Sequence, residues 1–251
     1  MSKVLTRRRG QHVAHPDRSK VRGDAGKSTR KMQATRMAMA LIILVIMALA
    51  IFLYSRNAKS VLSLGLPVVL AITVLFLVGM RVLEAKGKES IKRAKQAERG
   101  AIAEENTGSL LEGMPQGYFV VHDLDTGKGN IDHVLICHKG IFTIEVKSHR
   151  GEVTFDGSNL LLSGKPFEKD FLKQAWAECN AVREILAKWR IDTPTVEPLI
   201  VFSNAFVTVR GKAKGIEVMN LKYLLQFLKR LPDRWNTGEA GRIFNRMKGT
   251  A

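Results

Sequence analysis

Three charged residues near the middle of the chain have the types and spacing for metal-assisted chemistry. Asp132 lies in a run of mostly β-branched and aliphatic residues at 131–137, and Glu145 and Lys147 lie in a second such run at 141–148. Side chains alternate between the two faces of a strand, so Glu145 and Lys147 share one face. If the two runs pair as a β-hairpin, Asp132 lies on that face too, and the two carboxylates can hold one cation between them.

The register of this hairpin depends on the turn that joins the two runs. A two-residue turn at 139–140 predicts that Asp132 lies opposite Lys147. Asp132 and Glu145 are then diagonal neighbours, roughly 7–8 Å apart. The structural alternative is a surface hairpin in which Asp132 and Lys147 form a salt bridge.

Two carboxylates and an ammonium group on one sheet face suit phosphodiester hydrolysis. A hard cation such as Mg²⁺ or Mn²⁺ prefers one or two carboxylates together with water and substrate phosphate. Asp132 and Glu145 are the candidate ligands, with the Val146 carbonyl as a possible third. Lys147 is the candidate for orienting or deprotonating the attacking water and for offsetting phosphate charge.

The Glu-x-Lys pattern is informative only in its context. Glu84 and Lys86 have the same spacing, but they lie in a charged segment of helical pattern without apolar strand residues. That second copy is a solvated helix face. The signal at Glu145 comes from its place in a strand next to the strand of Asp132.

The sequence around the hairpin, GNIDHVLI followed by GIFTIEVKS and Gly151, resembles the nuclease-related domain (NERD) of the PD-(D/E)XK nuclease superfamily. The resemblance extends over about 100–232. It implies a restriction-endonuclease-like α/β fold, Mg²⁺-dependent nuclease activity and nucleic acid as the substrate. It also implies that Glu104, on the first helix of the domain, assists at the metal and that Gln174 contacts the site from a later helix. For Gln174, a polar surface position is the alternative.

The pattern of apolar residues predicts a mixed β-sheet flanked by helices. Strands are expected at 117–124, in the two hairpin runs and at 152–155, 160–162 and 198–202; helices are expected at 101–111, 168–189 and 221–231, the last ending before Pro232. Residues 233–251 are interpreted as a C-terminal tail.

Two apolar stretches, 37–54 and 61–80, are each long enough to cross a membrane. The short connection between them predicts a hairpin of two transmembrane helices. Residues 1–36 are interpreted as a disordered basic tail outside the fold, and 81–99 as a juxtamembrane helical linker. A buried helical hairpin of a soluble protein is the alternative.

Basic residues are unevenly distributed around these stretches. Residues 1–36 contain eleven Lys or Arg and residues 81–100 contain seven, whereas the connection between the stretches contains only Arg56 and Lys59. The positive-inside rule therefore predicts a multi-pass inner or plasma membrane protein with both termini and the nuclease-like domain in the cytoplasm. The membrane is thus an expected partner through both helices and their basic flanks, and no protein partner can be named.

The net charge of +17 does not by itself indicate binding to nucleic acid. Residues 1–100 contain twenty Lys or Arg and five Asp or Glu, whereas residues 101–251 contain twenty and eighteen. The excess therefore lies beside the predicted membrane helices. A non-catalytic membrane protein that uses a nuclease-like fold for nucleic-acid binding or partner docking is the competing functional hypothesis.

Other chemistries find less support in the sequence. Several histidines near the hairpin, together with Cys137, suggest a zinc site, but their spacing lacks a C-x-x-C or H-x-x-x-H pair. His133 is expected to be a packed or hydrogen-bonded core residue. Cys137 and Cys179 are expected to be free thiols. There is no P-loop, no G-x-G-x-x-G and no helicase motif.

Overall fold

The computed structural model describes residues 20–57, 66–191 and 196–248. Its elements in chain order are β1 (Val21–Arg22), α1 (Lys27–Arg56), α2 (Leu66–Glu112), β2 (Tyr118–Asp125), β3 (Asn130–Cys137), β4 (Gly140–Phe155), β5 (Leu160–Leu162), β6 (Lys165–Pro166), α3 (Phe171–Lys188), β7 (Val196–Val207), β8 (Glu217–Asn220), α4 (Leu221–Arg230) and α5 (Thr237–Lys248).

The strands form one mixed sheet. Strands β2, β3 and β4 pair antiparallel in sequence, and the second half of β4 continues to β5 and β6. Strand β7 runs parallel to β4 and to β8, while β1 adds parallel to the free edge of β2. The prediction of a mixed α/β sheet flanked by helices is confirmed.

The sheet buries apolar side chains on both faces. On β3, Leu135 contributes to a core with α4 and the end of α2, whereas Val134 and Ile136 contribute to a core with α3 and α5. Asp132 has the parity of Val134, so it lies on the α3 side of the sheet. Glu145 and Lys147 have the parity of Ile141, which packs in that same α3 core.

The hairpin register differs from the predicted one by two residues. Cys137 pairs with Gly140 and His133 with Ile144, so the turn consists of 138–139. Continuing this register places Asp132 opposite Glu145 and not opposite Lys147. A shift of two residues preserves the face of every side chain, which is why the predicted grouping of charges survives.

The turn is fixed by a distant part of the chain. The His138 carbonyl accepts hydrogen bonds from the amides of Arg234 and Trp235, at 2.9 and 3.1 Å. The Lys139 ammonium donates to the Leu231 carbonyl and to Asp233. These contacts involve the segment after α4, so the sequence of the turn alone does not predict its position.

One continuous helix contains residues 66–80 of the second apolar stretch, the linker at 81–99 and the first helix of the domain. Helix α2 has 47 residues, and no proline interrupts it after residue 67. Helices α1 and α2 run antiparallel side by side, with the Arg36 guanidinium donating to the Arg93 carbonyl at 3.1 Å. Residues 81–99 are helical, but they are part of α2 and not a separate element.

Within the described ranges, one helix segment, Lys27–Leu53, is long and apolar enough to cross a membrane. It contains the predicted first span, 37–54, except for its last residue. The second predicted span, 61–80, begins in residues that lie outside the described part. The hairpin of two transmembrane helices is therefore not confirmed.

The interpretation of 1–36 as a disordered tail is wrong for its second half. Residues 20–36 form β1 and the first turns of α1, while 1–19 lie outside the described residues. Val21 and Arg22 pair with Val120 and Val121 of β2. Strand addition uses backbone hydrogen bonds, so it requires no apolar pattern, and residues 20–36 contain none before the apolar stretch.

The interpretation of 233–251 as a tail is also wrong. Helix α5 covers most of that segment and packs on β2 and β3. Its buried side chains recur at the spacing of one helix face and are Ala240, Ile243, Phe244 and Met247. The domain therefore continues beyond residue 232, to at least residue 248.

We predict that residues 20–30 stabilise the domain. Deleting 1–30 removes β1 and the contacts of the first turn of α1, whereas deleting 1–19 leaves those contacts in place. In the detergent-solubilised chain, thermal unfolding followed by tryptophan fluorescence should show a lower Tm, by about 4 °C or more, only for the longer deletion. Equal Tm values for both deletions would show that β1 and the start of α1 contribute nothing to stability.

Candidate active site

The five residues singled out from the sequence come from four elements and face one region between the sheet and α3. Asp132 is on β3, Glu145 and Lys147 are on β4, Gln174 is on α3 and Glu104 is on α2. The pairing of β4 with β7 shifts register between Lys147 and Arg150, directly after the site. Such an irregularity bends a strand and redirects its side chains.

Glu145 is the centre of the polar contacts. Its side chain is 5% exposed, and its Oε1 atom accepts hydrogen bonds from the Lys147 ammonium and from Gln174 Nε2, the latter at 2.8 Å. Its second oxygen, Oε2, is buried and has no hydrogen-bond partner. A buried carboxylate oxygen without a donor is costly, so this atom is a natural acceptor for an added donor or cation.

Asp132 is held by the backbone of the neighbouring strand. Its Oδ2 atom accepts a hydrogen bond from the Val146 amide at 2.8 Å. Burial raises the pKa of Asp132 well above its ordinary value, and the nearby charges of Glu145 and Glu104 raise it further. A divalent cation would offset this burial and repulsion, since an opposite charge favours the ionised form.

Lys147 is fixed from several sides. Besides its ion pair with Glu145, its ammonium nitrogen is 3.3 Å from Gln174 Oε1 and 4.1 Å from the centroid of the Phe171 ring. The alternative salt bridge between Lys147 and Asp132 is not the pair that forms. The ammonium group is therefore held within the group of carboxylates and away from bulk water.

Gln174 is partly buried and contacts the other candidate residues, so it is not a free surface amide. It bridges Glu145 and Glu178, with its Nε2 atom 2.8 Å from an oxygen of each. Its carbonyl oxygen lies towards Lys147. Both functional groups of this amide are thus used to connect α3 to β4.

Glu104 approaches from α2 and is 9% exposed. Burial raises its pKa to about 7, and Glu145 adds to the rise, whereas a hydrogen bond from Thr29 opposes it. The Thr29 hydroxyl lies 2.8 Å from Oε1 and 3.1 Å from Oε2 of this carboxylate. Thr29 lies at the start of α1 and was missed because its segment has no apolar periodicity.

Glu178 is the second residue that the sequence analysis missed. Burial raises its pKa to about 9, and the charge of Glu145 and a hydrogen bond with the Glu145 side chain add to this rise. The signal was present in the sequence, because Glu178 interrupts the buried face of α3 next to Cys179 and one turn after Ala175. An acid at a core position of an amphipathic helix is rare unless it is paired or functional.

The histidines near the hairpin serve the core. His133 is fully buried, and its Nδ1 atom is 2.8 Å from Nδ1 of His122, whose Nε2 atom is 3.0 Å from Glu112. The prediction that His133 is a hydrogen-bonded core residue is confirmed. Both Cys137 and Cys179 are buried free thiols, as expected.

Among the residues that the structure describes, no group of three or more His, Cys, Asp or Glu side chains is arranged to hold a metal ion. A structural zinc site needs three or four such ligands. A magnesium site with one or two carboxylates makes a smaller demand, since water and phosphate complete the coordination of that ion.

We predict that replacing Glu178 by Gln stabilises the metal-free chain above neutral pH. With a pKa of about 9, folded Glu178 retains a proton that the unfolded chain releases near pH 4.3. Wild-type stability therefore falls as pH rises between these values, and Gln removes this loss. At pH 8 in EDTA, Glu178→Gln should raise Tm by about 2–4 °C, or about 1 kcal/mol, and the gain should vanish near pH 4.5.

Glu184 provides the matched control for this prediction. It lies on the same helix but is exposed, and its partner is Lys128. Glu184→Gln should give no gain in Tm that grows with pH. A pH-independent effect of Glu178→Gln would contradict a raised pKa at that position.

Comparison with known families finds a match to part of the chain. Residues 99–203 match the family model described as NERD, nuclease-related domain. The matched segment contains the five candidate residues and implies the PD-(D/E)XK superfamily, whereas β1, α1, α4 and α5 lie outside it. The match suggests a nuclease-like function for this domain. No curated protein and no solved structure matches the chain.

Proposed function

We propose that this chain is a membrane-anchored nuclease that hydrolyses phosphodiester bonds of DNA or RNA with the help of Mg²⁺ or Mn²⁺. The observation that carries the proposal is the convergence of Asp132, Glu145 and Lys147 on one sheet face within a nuclease-related domain. A structural hairpin has no need of two buried acids beside each other, because burying like charges is unfavourable.

The donor set fits a hard divalent cation. Asp132 and Glu145 supply carboxylate oxygens from the neighbouring strands β3 and β4, and Glu145 Oε2 has no hydrogen-bond partner. Oxygen ligands of this kind suit Mg²⁺ and Mn²⁺. A cation held here would polarise the phosphate and favour ionisation of a water at neutral pH.

The remaining residues have distinct roles in this proposal. Lys147 orients the attacking water and offsets phosphate charge, which requires the fixed position that Glu145, Gln174 and the Phe171 ring give it. Gln174 keeps Glu145 and Lys147 in place. Glu104 assists at the cation, and its pKa of about 7 allows it to exchange a proton near neutral pH.

Membrane anchoring rests on α1 and on the charge distribution. In the most apolar part of Lys27–Leu53, 6% of the residues are buried. The side chains of this segment therefore face the surroundings and not a protein core. Large apolar side chains are also exposed on the first part of α2, among them Val74 and Leu75. We place both termini and the nuclease-like domain in the cytoplasm, on the side of the basic flanks.

A second candidate is a non-catalytic membrane protein that binds nucleic acid or a partner through the same fold. The observation in its favour is the near-neutral charge of residues 101–251, with twenty Lys or Arg against eighteen Asp or Glu. Phosphate contacts usually require a basic surface, so within this candidate the charge favours docking of a partner over binding of nucleic acid. Incubating the full chain with DNA and RNA, with Mg²⁺, Mn²⁺ or EDTA, separates the two candidates.

We predict that two variants of the site fail in different ways. Glu145→Gln should weaken Mn²⁺ binding at least tenfold and abolish cleavage, because a ligand charge is lost. Lys147→Ala should retain Mn²⁺ binding while kcat falls about 10²–10⁴-fold, because the lysine acts on water and phosphate. Calorimetric titration of Mn²⁺ and cleavage of labelled nucleic acid measure the two effects.

Exposed residues nearby provide the controls. Glu152→Gln changes an exposed glutamate on the same strand, and Lys173→Ala changes an exposed lysine on α3. Both should behave like the wild type. A wild-type chain that binds no divalent ion, even with nucleic acid present, would refute the nuclease proposal and leave the docking function.

The proposed orientation predicts the accessibility of two surface positions. Asn57 directly follows α1 at its C-terminal end, and Ser158 lies on an exposed turn of the domain. After Asn57→Cys, a membrane-impermeant thiol reagent should label intact cells, since both native cysteines are buried. After Ser158→Cys, labelling should require permeabilised cells. Labelling of intact cells would show that the domain lies outside the cytoplasm and would contradict the proposed orientation.

A further inference from the structure

Residues 21–29, which precede the first apolar stretch, contact the domain in three ways. Their backbone extends the sheet, because β1 pairs with β2. Their helix start is anchored on the sheet, because the Ser28 amide and hydroxyl donate to the Asp123 carboxylate at 3.1 and 2.9 Å. The residue after Ser28 is Thr29, and its hydroxyl donates a hydrogen bond to the Glu104 carboxylate.

The anchor at Asp123 is specific. Asp123 has a φ of 50°, an uncommon conformation for a residue other than glycine, and also accepts a hydrogen bond from Asn130 at 2.7 Å. Its carboxylate lies at the N-terminus of α1, where negative charge is favourable. This arrangement fixes the first turn of α1 relative to β2 and therefore fixes the position of Thr29.

The contact of Thr29 differs from its neighbours' contacts. The Arg30–Glu105 ion pair beside it joins side chains that are 53% and 34% exposed, so it contributes little. The Thr29 hydroxyl instead reaches both oxygens of a buried carboxylate. Hydrogen bonds to charged groups are the stronger kind, and burial strengthens them further.

We propose that Thr29 is a positioning residue of the nuclease site, which holds the Glu104 carboxylate in place from the first turn of α1, before the apolar stretch of that helix. Glu104 is repelled by Glu145, and a carboxylate without a fixed donor would turn towards solvent. The hydroxyl of Thr29 opposes that rotation. This inference rests on the proposed function, in which Glu104 assists at the cation, and it extends the site beyond the matched residues 99–203.

Three variants of the full detergent-solubilised chain separate the hydroxyl from the shape of the side chain. Thr29→Val removes the hydroxyl and keeps the branched shape, while Thr29→Ser keeps the hydroxyl. Thr35→Val is the matched control, because Thr35 lies on the same helix and its hydroxyl donates only to the Lys31 carbonyl, at 3.0 Å.

The first measurement is independent of cleavage. Carbodiimide-driven coupling of a glycine ester, followed by peptide mass spectrometry, reports the accessibility of Glu104 relative to the exposed Glu168. Thr29→Val should raise the relative labelling of Glu104 severalfold, whereas Thr29→Ser and Thr35→Val should match the wild type. Unchanged labelling in Thr29→Val would overturn the inference, whatever the activity.

The second measurement is cleavage of nucleic acid with Mn²⁺. Thr29→Val should lower kcat about tenfold with KM within twofold of the wild type, and Thr29→Ser should restore kcat. Increased labelling with unchanged kcat, or a serine variant as impaired as the valine variant, would refute the positioning role. If the wild-type chain cleaves nothing, the proposed function fails, while the labelling still decides whether Thr29 holds Glu104.

Discussion

The structure of the site is governed by the cost of placing several carboxylates in a partly buried space. Burial raises the pKa of Asp132, Glu104 and Glu178, the charge of Glu145 raises all three further, and Lys147 is the ammonium group among these acids. Each acid therefore needs a donor from a fixed element: a backbone amide of β4, an amide side chain of α3 or a hydroxyl of α1. The sheet and helices α1, α2 and α3 must therefore keep fixed positions relative to one another so that these hydrogen bonds form.

Local pattern was sufficient for the part of the site that lies on the hairpin. Side chains alternate along β3 and β4, so Asp132, Glu145 and Lys147 share one face. A shift of the register by an even number of residues does not change this. The register itself could not be predicted, because the turn is set by hydrogen bonds from the segment after α4, about a hundred residues away in sequence. As a result, the direct neighbour of Asp132 is Glu145 and not Lys147.

The remaining misses have different physical causes. Strand β1 and Thr29 belong to a polar segment whose order comes from backbone pairing and from donors to buried acids, neither of which leaves a periodic pattern. Helix α5 and Glu178, in contrast, were visible: the apolar face of α5 and the acid on the core face of α3 both follow helical spacing. The family resemblance covers about 100–232 and therefore contains neither β1 and Thr29 nor α5.

The continuity of α2 gives the charged segment at 81–99 a geometric role. Each residue of a helix turns it by about 100° and advances it by 1.5 Å, so one inserted residue would rotate Glu104 away from Thr29 on the antiparallel helix α1. Seven inserted residues, close to two turns, would nearly restore the rotational phase. The exposed side chains of this segment can therefore vary in identity, while its length sets the angular alignment between the apolar helices and the carboxylates.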